Sequence, residues 1–340
     1  MNRKAIAIQN MILPEEGYAE AMRTIVEPYL FARKTETYYE RSKGQRSFYI
    51  RCLADHPRGV VVISHGYTET IEKHLENIYY FLRGGYHVFM PEHCGHGHSY
   101  RLCRNPEDLS LVHIDDYKRY VDDLLFVSRI AAREFPRLPM ILYGHSMGGG
   151  IAAAAAAQMP ELFSRLILSS PMIRPSSAPT PWPAACLIAG MFCLTGKTER
   201  YVIGNHPYSG PVQFKNSASN SKARFEYYQD KRTAEPLFQM NAPSYGWLWQ
   251  TARLNHYLQS RAWRQINCPV LVFQASRETY VSNKEQRLFV WKLNRRKKRM
   301  AKLIRVPGTR HEIFNSRAEL LARYWYRIFD FSSRKFTVKL

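Results

Sequence analysis

The sequence predicts an α/β protein built on a mostly parallel central sheet, with one irregular insert between two parts of the same sheet. Three observations predict it. Strand-length apolar runs alternate with helix-length amphipathic runs between residues 59 and 169. The runs of strand character are continuous rather than alternating, as in strands covered on both faces. The alternation stops near Met172 and resumes near Pro269. Strands alternating with helices of this length need right-handed crossovers, which lay the strands parallel.

In chain order, a helical opening (Tyr18–Lys34) precedes an expected strand pair, Glu36–Glu40 and Ser47–Leu53. Gly59–Ser64 is the first fully buried strand. The helix Ile71–Arg83 leads through Gly84-Gly85 to the strand His87–Met90. The helix Ile114–Glu134 leads to Met140–Tyr143, and Met147–Gln158 leads to Arg165–Ser169. From Met172 to Trp263 the chain is rich in Pro, Ser, Asn and aromatic residues, with helical pieces but no clear buried strand. The strands Pro269–Gln274 and Lys302–Val306, with the helices Lys284–Leu293 and Arg317–Phe329, complete the pattern. Residues 1–171 and 264–340 thus form one core, and residues 172–263 a cap over its site.

Composition bounds the function. At 340 residues and 45% hydrophobic the chain can bury a large core, which argues against disorder. The longest apolar stretch, Ala184–Thr195, is shorter than the roughly 20 residues of a membrane-spanning helix. Met1–Gln9 carries no apolar run of signal-peptide length, so the expected compartment is the cytoplasm. The cysteines at 52, 94, 103, 186, 193 and 268 form no CxxC pair and read as buried free thiols. A net charge of +21 favours an anionic partner. The basic residues are nevertheless spread out, and the one dense run, Arg295–Arg299, ends a helix, where cations suit the helix dipole. A membrane-surface patch is the second reading of that run. No recognised motif supports a nucleic-acid partner.

The residues that carry chemistry begin with Gly144-His145-Ser146-Met147-Gly148. This is G-x-S-x-G between a buried strand and an Ala-rich helix, the setting that lifts a nucleophilic serine above the strand ends. Gly144 and Gly148 leave room for the tight turn, and the Met147 amide points into the same space at a helix N-terminus. Serine needs a base, and the base an orienting acid, in the chain order Ser, acid, His. His311 follows the last strand through Pro307-Gly308-Thr309-Arg310 and is the expected base. Glu278 leaves the preceding strand and is the expected acid. Glu285 is placed less well, on the following helix, and Glu312 is expected to point away. In the loop after Gly59–Ser64, Gly66 permits a sharp turn and the Tyr67 amide is the expected second oxyanion donor, with its side chain as a cavity wall. His93, His96 and His98, with Glu92 and Cys94, carry zinc-ligand chemistry. Their interleaving with Gly95, Gly97 and Ser99 reads instead as a hydrogen-bonded loop. No metal and no cofactor is expected.

These motifs resemble the monoglyceride lipase and lysophospholipase branch of the α/β hydrolases, which is grouped with serine aminopeptidases. The matching residues are His65-Gly66, Gly95-His96-Gly97-His98-Ser99, Gly144 to Gly149, Asp122, Gln274 to Val281 and Gly308 to His311. The likeness covers roughly residues 45 to 330 and is greatest to the bacterial lysophospholipase L2 type, including Glu at the acid position. It implies the α/β-hydrolase fold, a Ser146–Glu278–His311 triad and an oxyanion hole from the Tyr67 and Met147 amides. The sequence departs from the family at Glu92 and Cys94, where Asp and Arg are usual. The implied substrate is an acyl ester, expected to be a lysophospholipid or monoacylglycerol met at an anionic membrane face. The apolar stretch Pro181–Phe192 would line an acyl pocket or rest on the membrane. The alternatives are a short-chain carboxylesterase, a binding protein on the same fold, and a peptidase with Glu199, Glu226 or Glu235 binding the substrate amine.

Overall fold

The computed structural model describes residues 3–333; the ends of the expected core segments, 1–2 and 334–340, lie outside it. Eight strands form one sheet: β1 (Lys34–Ser42), β2 (Gln45–Cys52), β3 (Gly59–Ser64), β4 (Tyr86–Pro91), β5 (Met140–His145), β6 (Arg165–Ser169), β7 (Val270–Ala275) and β8 (Ala301–Val306). Their spatial order is β1-β2-β4-β3-β5-β6-β7-β8. The β1–β2 and β2–β4 pairs are antiparallel, and all the others are parallel. This is the mostly parallel sheet of an α/β-hydrolase fold.

Continuous burial of the central strands follows from helices on both faces. Val60 and Val62 point to a core built with the helices Lys118–Glu134, Ser146–Gln158 and Asn283–Arg296. Val61 and Ile63 point to the opposite core, beneath Leu75–Arg83, Ala318–Ser333 and the N-terminal helices. The run Ala152–Ala157 is buried throughout, between the sheet and the neighbouring helices. Its small side chains allow close approach: a Cβ on Gly144 would come within 2.8 Å of the Ala152 Cβ.

Several boundaries differ from the sequence expectation. The stretch read as Ile71–Arg83 begins as a 3-10 turn, Ile71–His74, before the α-helix Leu75–Arg83. Ile114 precedes its helix, which starts at Lys118. The 172–263 excursion is mainly helical (Trp182–Leu194, Lys222–Ala234, Tyr245–Tyr257). It also contains a two-residue strand that hydrophobic patterning could not reveal. Ala242–Pro243 pairs in parallel with Leu111–Val112 and stitches the excursion to the loop after β4.

A buried ionic cluster holds the helix Lys222–Ala234 to the core. Arg224, fully buried in its side chain, donates to both Glu76 oxygens at 2.8 and 2.9 Å and to the Leu13 carbonyl at 2.8 Å, and also pairs with Glu15. Tyr18 and Tyr80 donate to the same Glu76 carboxylate at 2.9 and 2.5 Å. Two turns on, Lys231 reaches Glu72 at 2.6 Å and pairs with Glu27. Three separate parts of the chain thereby meet at one helix.

Candidate active site

Ser146 sits at the C-terminal end of β5, at the first position of its helix, with φ +51°. A non-glycine residue there costs on the order of 1–3 kcal/mol, a strain that persists only where the surroundings impose it. The glycines around it are imposed by contact. A Cβ on Gly148 would fall 2.2 Å from the Ser64 carbonyl oxygen and 2.3 Å from that of His65. The elbow therefore packs directly on the end of β3 and on the loop that follows it.

His311 and Glu278 come together at this serine. His311 Nε2 lies 2.7 Å from Ser146 Oγ, and His311 Nδ1 lies 2.8 Å from Glu278 Oε2. The other Glu278 oxygen accepts from the Tyr280 and Val281 amides at 2.9 and 3.3 Å. Burial pushes the Glu278 carboxyl up, but the His311 hydrogen bond and these two amides outweigh it and hold the group below the ordinary carboxylate range. An imidazole between a hydroxyl and an ionised carboxylate can take the hydroxyl proton and carry the resulting charge. The Arg277 N–H donates to the Thr309 carbonyl at 2.9 Å, which ties the acid loop to the base loop.

The Tyr67 N–H has no acceptor among the described residues, and Met147, in the first turn of its helix, has no intrahelical one. The Tyr67 ring packs 4.6 Å from that of Trp247, as a cavity wall. What holds this loop was missed in the sequence. Glu69, buried beneath it, accepts from the Gly66 N–H at 2.5 Å and contacts His145 at 3.0 Å and His74 at 2.9 Å. One carboxylate thus joins the loop after β3 to the residue preceding Ser146. A Cβ on Gly66 would come within 2.8 Å of it. Lys73 lies 3.7 Å from Glu69 and also pairs with Glu312.

Glu312, next to the base, pairs with Lys73 while His311 pairs with Glu278. It is buried at the cavity wall, where the 3-10 turn Ile313–Asn315 follows it and Asn315 donates to it at 2.8 Å. Burial alone would raise both carboxyls, yet His145 and Lys73 hold Glu69 well below its ordinary 4.5, and Lys73 holds Glu312 below the same value. Their pairing stabilises the fold above about pH 4.5 and fades as pH falls through the lower folded-state values. Lys73→Met leaves two buried carboxylates without their cation. It is expected to cost about 3–5 kcal/mol at pH 7 and clearly less at pH 4, where protonation relieves the unpaired charge. Urea unfolding at both pH values measures this, and an equal loss at both would refute it.

The histidine loop is internally hydrogen-bonded. His93 Nε2 lies 2.9 Å from Ser64 Oγ, the His93 N–H donates to His65 Nε2 at 2.9 Å, and His96 Nδ1 lies 3.0 Å from the Cys94 carbonyl. Burial pushes His65 down to about 4 and His96 down to about 3, so both are neutral at pH 7. Among the described residues no group of His, Cys, Asp and Glu is placed to hold a metal ion. Glu92, one of the two departures from the family pattern, accepts from the Ile71 and His98 amides at 3.1 and 2.6 Å. Its carboxylate fills the space above Gly97, where a Cβ would come within 2.2 Å of it.

Ser146 and His311 open into a cavity of about 440 Å³, walled by Tyr67, Met172, Tyr228, Arg232 and Trp247 among others. None of the three carboxylates considered for amine binding lines it: Glu199 pairs with Arg104, Glu226 with Lys222, and Glu235 accepts from the Leu237 amide. The apolar helix Trp182–Leu194 does not line it either. Ala185 and Ala189 are buried, Gly190 approaches the Trp249 ring, and Phe192 stacks 3.8 Å from Tyr245. That leaves Leu187, Met191 and Leu194 facing outward at 67%, 51% and 90% exposure. Arg295–Arg299 follows the helix-end reading: the helix stops at Arg296, whose guanidinium donates to the Ile266 carbonyl at 2.6 Å.

Residues 55–318 match the family described as serine aminopeptidase, S33. The chain belongs to that family. Among curated members of the same branch, it is 37% identical over 125 residues to the monoacylglycerol lipase of Mycolicibacterium smegmatis, a stretch that is 37% of this chain and only 42% of that protein. It is 26% identical over 235 residues to the probable lysophospholipase L2 of Haemophilus influenzae, covering 67% of this chain and 70% of that one. A soluble variant of the Saccharomyces cerevisiae monoglyceride lipase superposes with a TM-score of 0.70 at 17% identity, over 90% of this chain and 97% of that chain. A thermostable carboxyl esterase from Bacillus coagulans gives 0.73 at 18%, over 88% and 98%. At these identities the two structures establish the shared α/β-hydrolase fold. The family match spans the elbow, the acid loop and the base loop together, so Ser146, Glu278 and His311 all fall within it.

Proposed function

We propose that this protein is a serine hydrolase that cleaves a carboxylic ester of a monoacyl lipid, with residues 172–263 acting as the cap over its site. The observation that carries the proposal is the unbroken hydrogen-bond chain from Ser146 through His311 to Glu278 at the floor of the cavity. Ser146 Oγ attacks the ester carbonyl as His311 Nε2 takes its proton. The Met147 and Tyr67 amides receive the oxyanion. His311 returns the proton to the departing alcohol oxygen, leaving an acyl-Ser146 ester. A water molecule, deprotonated by the same imidazole, then releases the acid and restores the serine. Glu278 holds the imidazole tautomer that this cycle needs.

The lipid assignment draws on the relatives named as monoacylglycerol lipase and lysophospholipase. The cap carboxylates that an amine-binding peptidase would use lie away from the cavity, which favours ester over aminoacyl amide. The test is a panel of long-chain monoacyl lipids, acetyl and butyryl esters, and aminoacyl amides. The long-chain monoacyl esters are expected to give the highest kcat/KM. A strict preference for acetyl or butyryl esters would leave a generic carboxylesterase, and a preference for the amides would point to a peptidase.

No described helix is long and apolar enough to cross a membrane. The outward apolar face of Trp182–Leu194, with Ile203 at 80% exposure, suits peripheral contact with a bilayer, and the +21 charge favours an anionic one. Co-sedimentation with vesicles should therefore rise with anionic lipid and fall with added salt. Leu187→Ser combined with Leu194→Ser should weaken it about tenfold or more, since each exposed leucine buried contributes roughly 1.5–3 kcal/mol. Equal partitioning of the parent and the double variant would remove this helix from the contact.

A further inference from the structure

Arg232 is a buried cation without a carboxylate. It is 8% exposed and lines the cavity that contains Ser146 and His311. Its Nε donates to the Phe238 carbonyl at 3.3 Å, and its Nη2 donates to the Met240 carbonyl at 2.6 Å and to Asn241 Oδ1 at 3.4 Å. Its guanidinium lies 4.6 Å over the Tyr208 ring. These contacts brace the turn that follows the helix, but every one of them is to a neutral group. Among the described residues Nη1 has no hydrogen-bond partner and no Asp or Glu lies within ion-pair distance. The two nearest comparisons differ: Arg224, on the same helix, holds Glu76 and Glu15, and Lys73, across the cavity, faces Glu69 and Glu312. A guanidinium that lines a cavity with no carboxylate in reach favours an anion in that cavity.

The helix face around Arg232 is graded in polarity. Phe225, Tyr228, Gln229 and Arg232 all line the cavity, and their spacing of three, four and seven residues places them on one face of Lys222–Ala234. Phe225, near Phe214 at 5.6 Å, makes one end apolar. Arg232 makes the other end cationic, roughly 10 Å further along the axis at 1.5 Å per residue. Beside it the Gln229 side-chain oxygen is buried with no hydrogen-bond partner among the described residues, and so is the Tyr67 hydroxyl. These are unspent polar groups at the cationic end of a cavity that already holds the hydrolytic residues.

We propose that Arg232, with Gln229 beside it, is an anion-recognising subsite, and that the ester cleaved at Ser146 carries a phosphate or carboxylate group which Arg232 binds. The guanidinium fork suits either group. The proposal deepens the ester-hydrolase reading by naming a charged substrate class and the residue that selects it.

Two measurements test it. Octyl phosphate binding, followed by calorimetry on the Ser146→Ala protein, does not depend on turnover. Adding Arg232→Met should weaken it at least tenfold, Arg232→Lys less, and the exposed Arg264→Met not at all. In the active protein, kcat/KM is compared for lauroyl lysophosphatidylglycerol, dodecyl hydrogen succinate and neutral monolauroylglycerol. Arg232→Met should lower the ratio of anionic to neutral substrate at least tenfold, mainly through KM, and Arg264→Met should leave that ratio unchanged. The anion whose ratio falls is the one recognised, phosphodiester or carboxylate. Equal losses on charged and neutral esters, or unaltered octyl phosphate binding, would overturn the subsite and leave Arg232 as a brace. Hydrolysis surviving in Ser146→Ala would instead sink the serine-hydrolase reading, while the binding measurement still decides on Arg232.

Discussion

Replacing Ser146 by Ala is expected to lower ester hydrolysis by about 10⁶ in kcat, the scale seen when a triad nucleophile is removed. Only the background from oxyanion stabilisation and binding should remain. The fold should survive: the substitution keeps Cβ, removes one hydroxyl, and leaves the His311–Glu278 hydrogen bond of 2.8 Å in place. Glu278→Gln should cost roughly 10⁴, because an amide stabilises the wrong imidazole tautomer and cannot support the imidazolium. Combining the two should cost no more than Ser146→Ala alone, since members of one catalytic unit are not additive. Turnover of a p-nitrophenyl ester, with thermal unfolding as a check on folding, measures all three. Parent-like rates in Ser146→Ala would remove the serine from the chemistry.

The second large effect is on stability. Arg224→Met leaves Glu76 buried with two tyrosine donors but no cation, leaves Glu15 with the Ser221 hydroxyl but no cation, and leaves the Leu13 carbonyl without its donor. Breaking a buried pair from one side costs about 3–5 kcal/mol. The urea midpoint should therefore fall markedly with little change in slope. Glu76→Leu combined with Arg224→Met should recover part of the loss, because the uncompensated charge is gone. A loss below about 1 kcal/mol in Arg224→Met would show that the cluster does not hold the helix Lys222–Ala234 to the core.

Much of this was legible before any coordinates. The strands β3 to β7 carry largely continuous apolar runs because helices cover both faces, and such runs are visible in sequence. Ser146, Glu278 and His311 were legible because each follows a strand end, where this fold collects its chemistry. The buried ionic groups were not. Glu69 and Lys73 are four residues apart and look like an ordinary exposed helix pair, and nothing local says that the chain folds over them. The pairing of Glu312 with Lys73 was equally hidden, because the two residues are far apart in the sequence. Arg232 lies in a helix whose sequence is rich in charge, and only the tertiary fold shows that its neighbours lack a carboxylate. The Trp182–Leu194 stretch was correctly apolar, but which of its faces is buried depends on where Ala185, Ala189 and Gly190 meet the neighbouring helix.

The most direct test of the central claim is covalent. A fluorophosphonate reacts with an activated serine by losing fluoride to form a phosphonyl ester, and intact-protein mass followed by peptide mapping locates the adduct. A single adduct on Ser146, absent from Ser146→Ala and slowed in Glu278→Gln, is the predicted result. No adduct on folded protein, or loss of activity through an adduct elsewhere, would contradict the account.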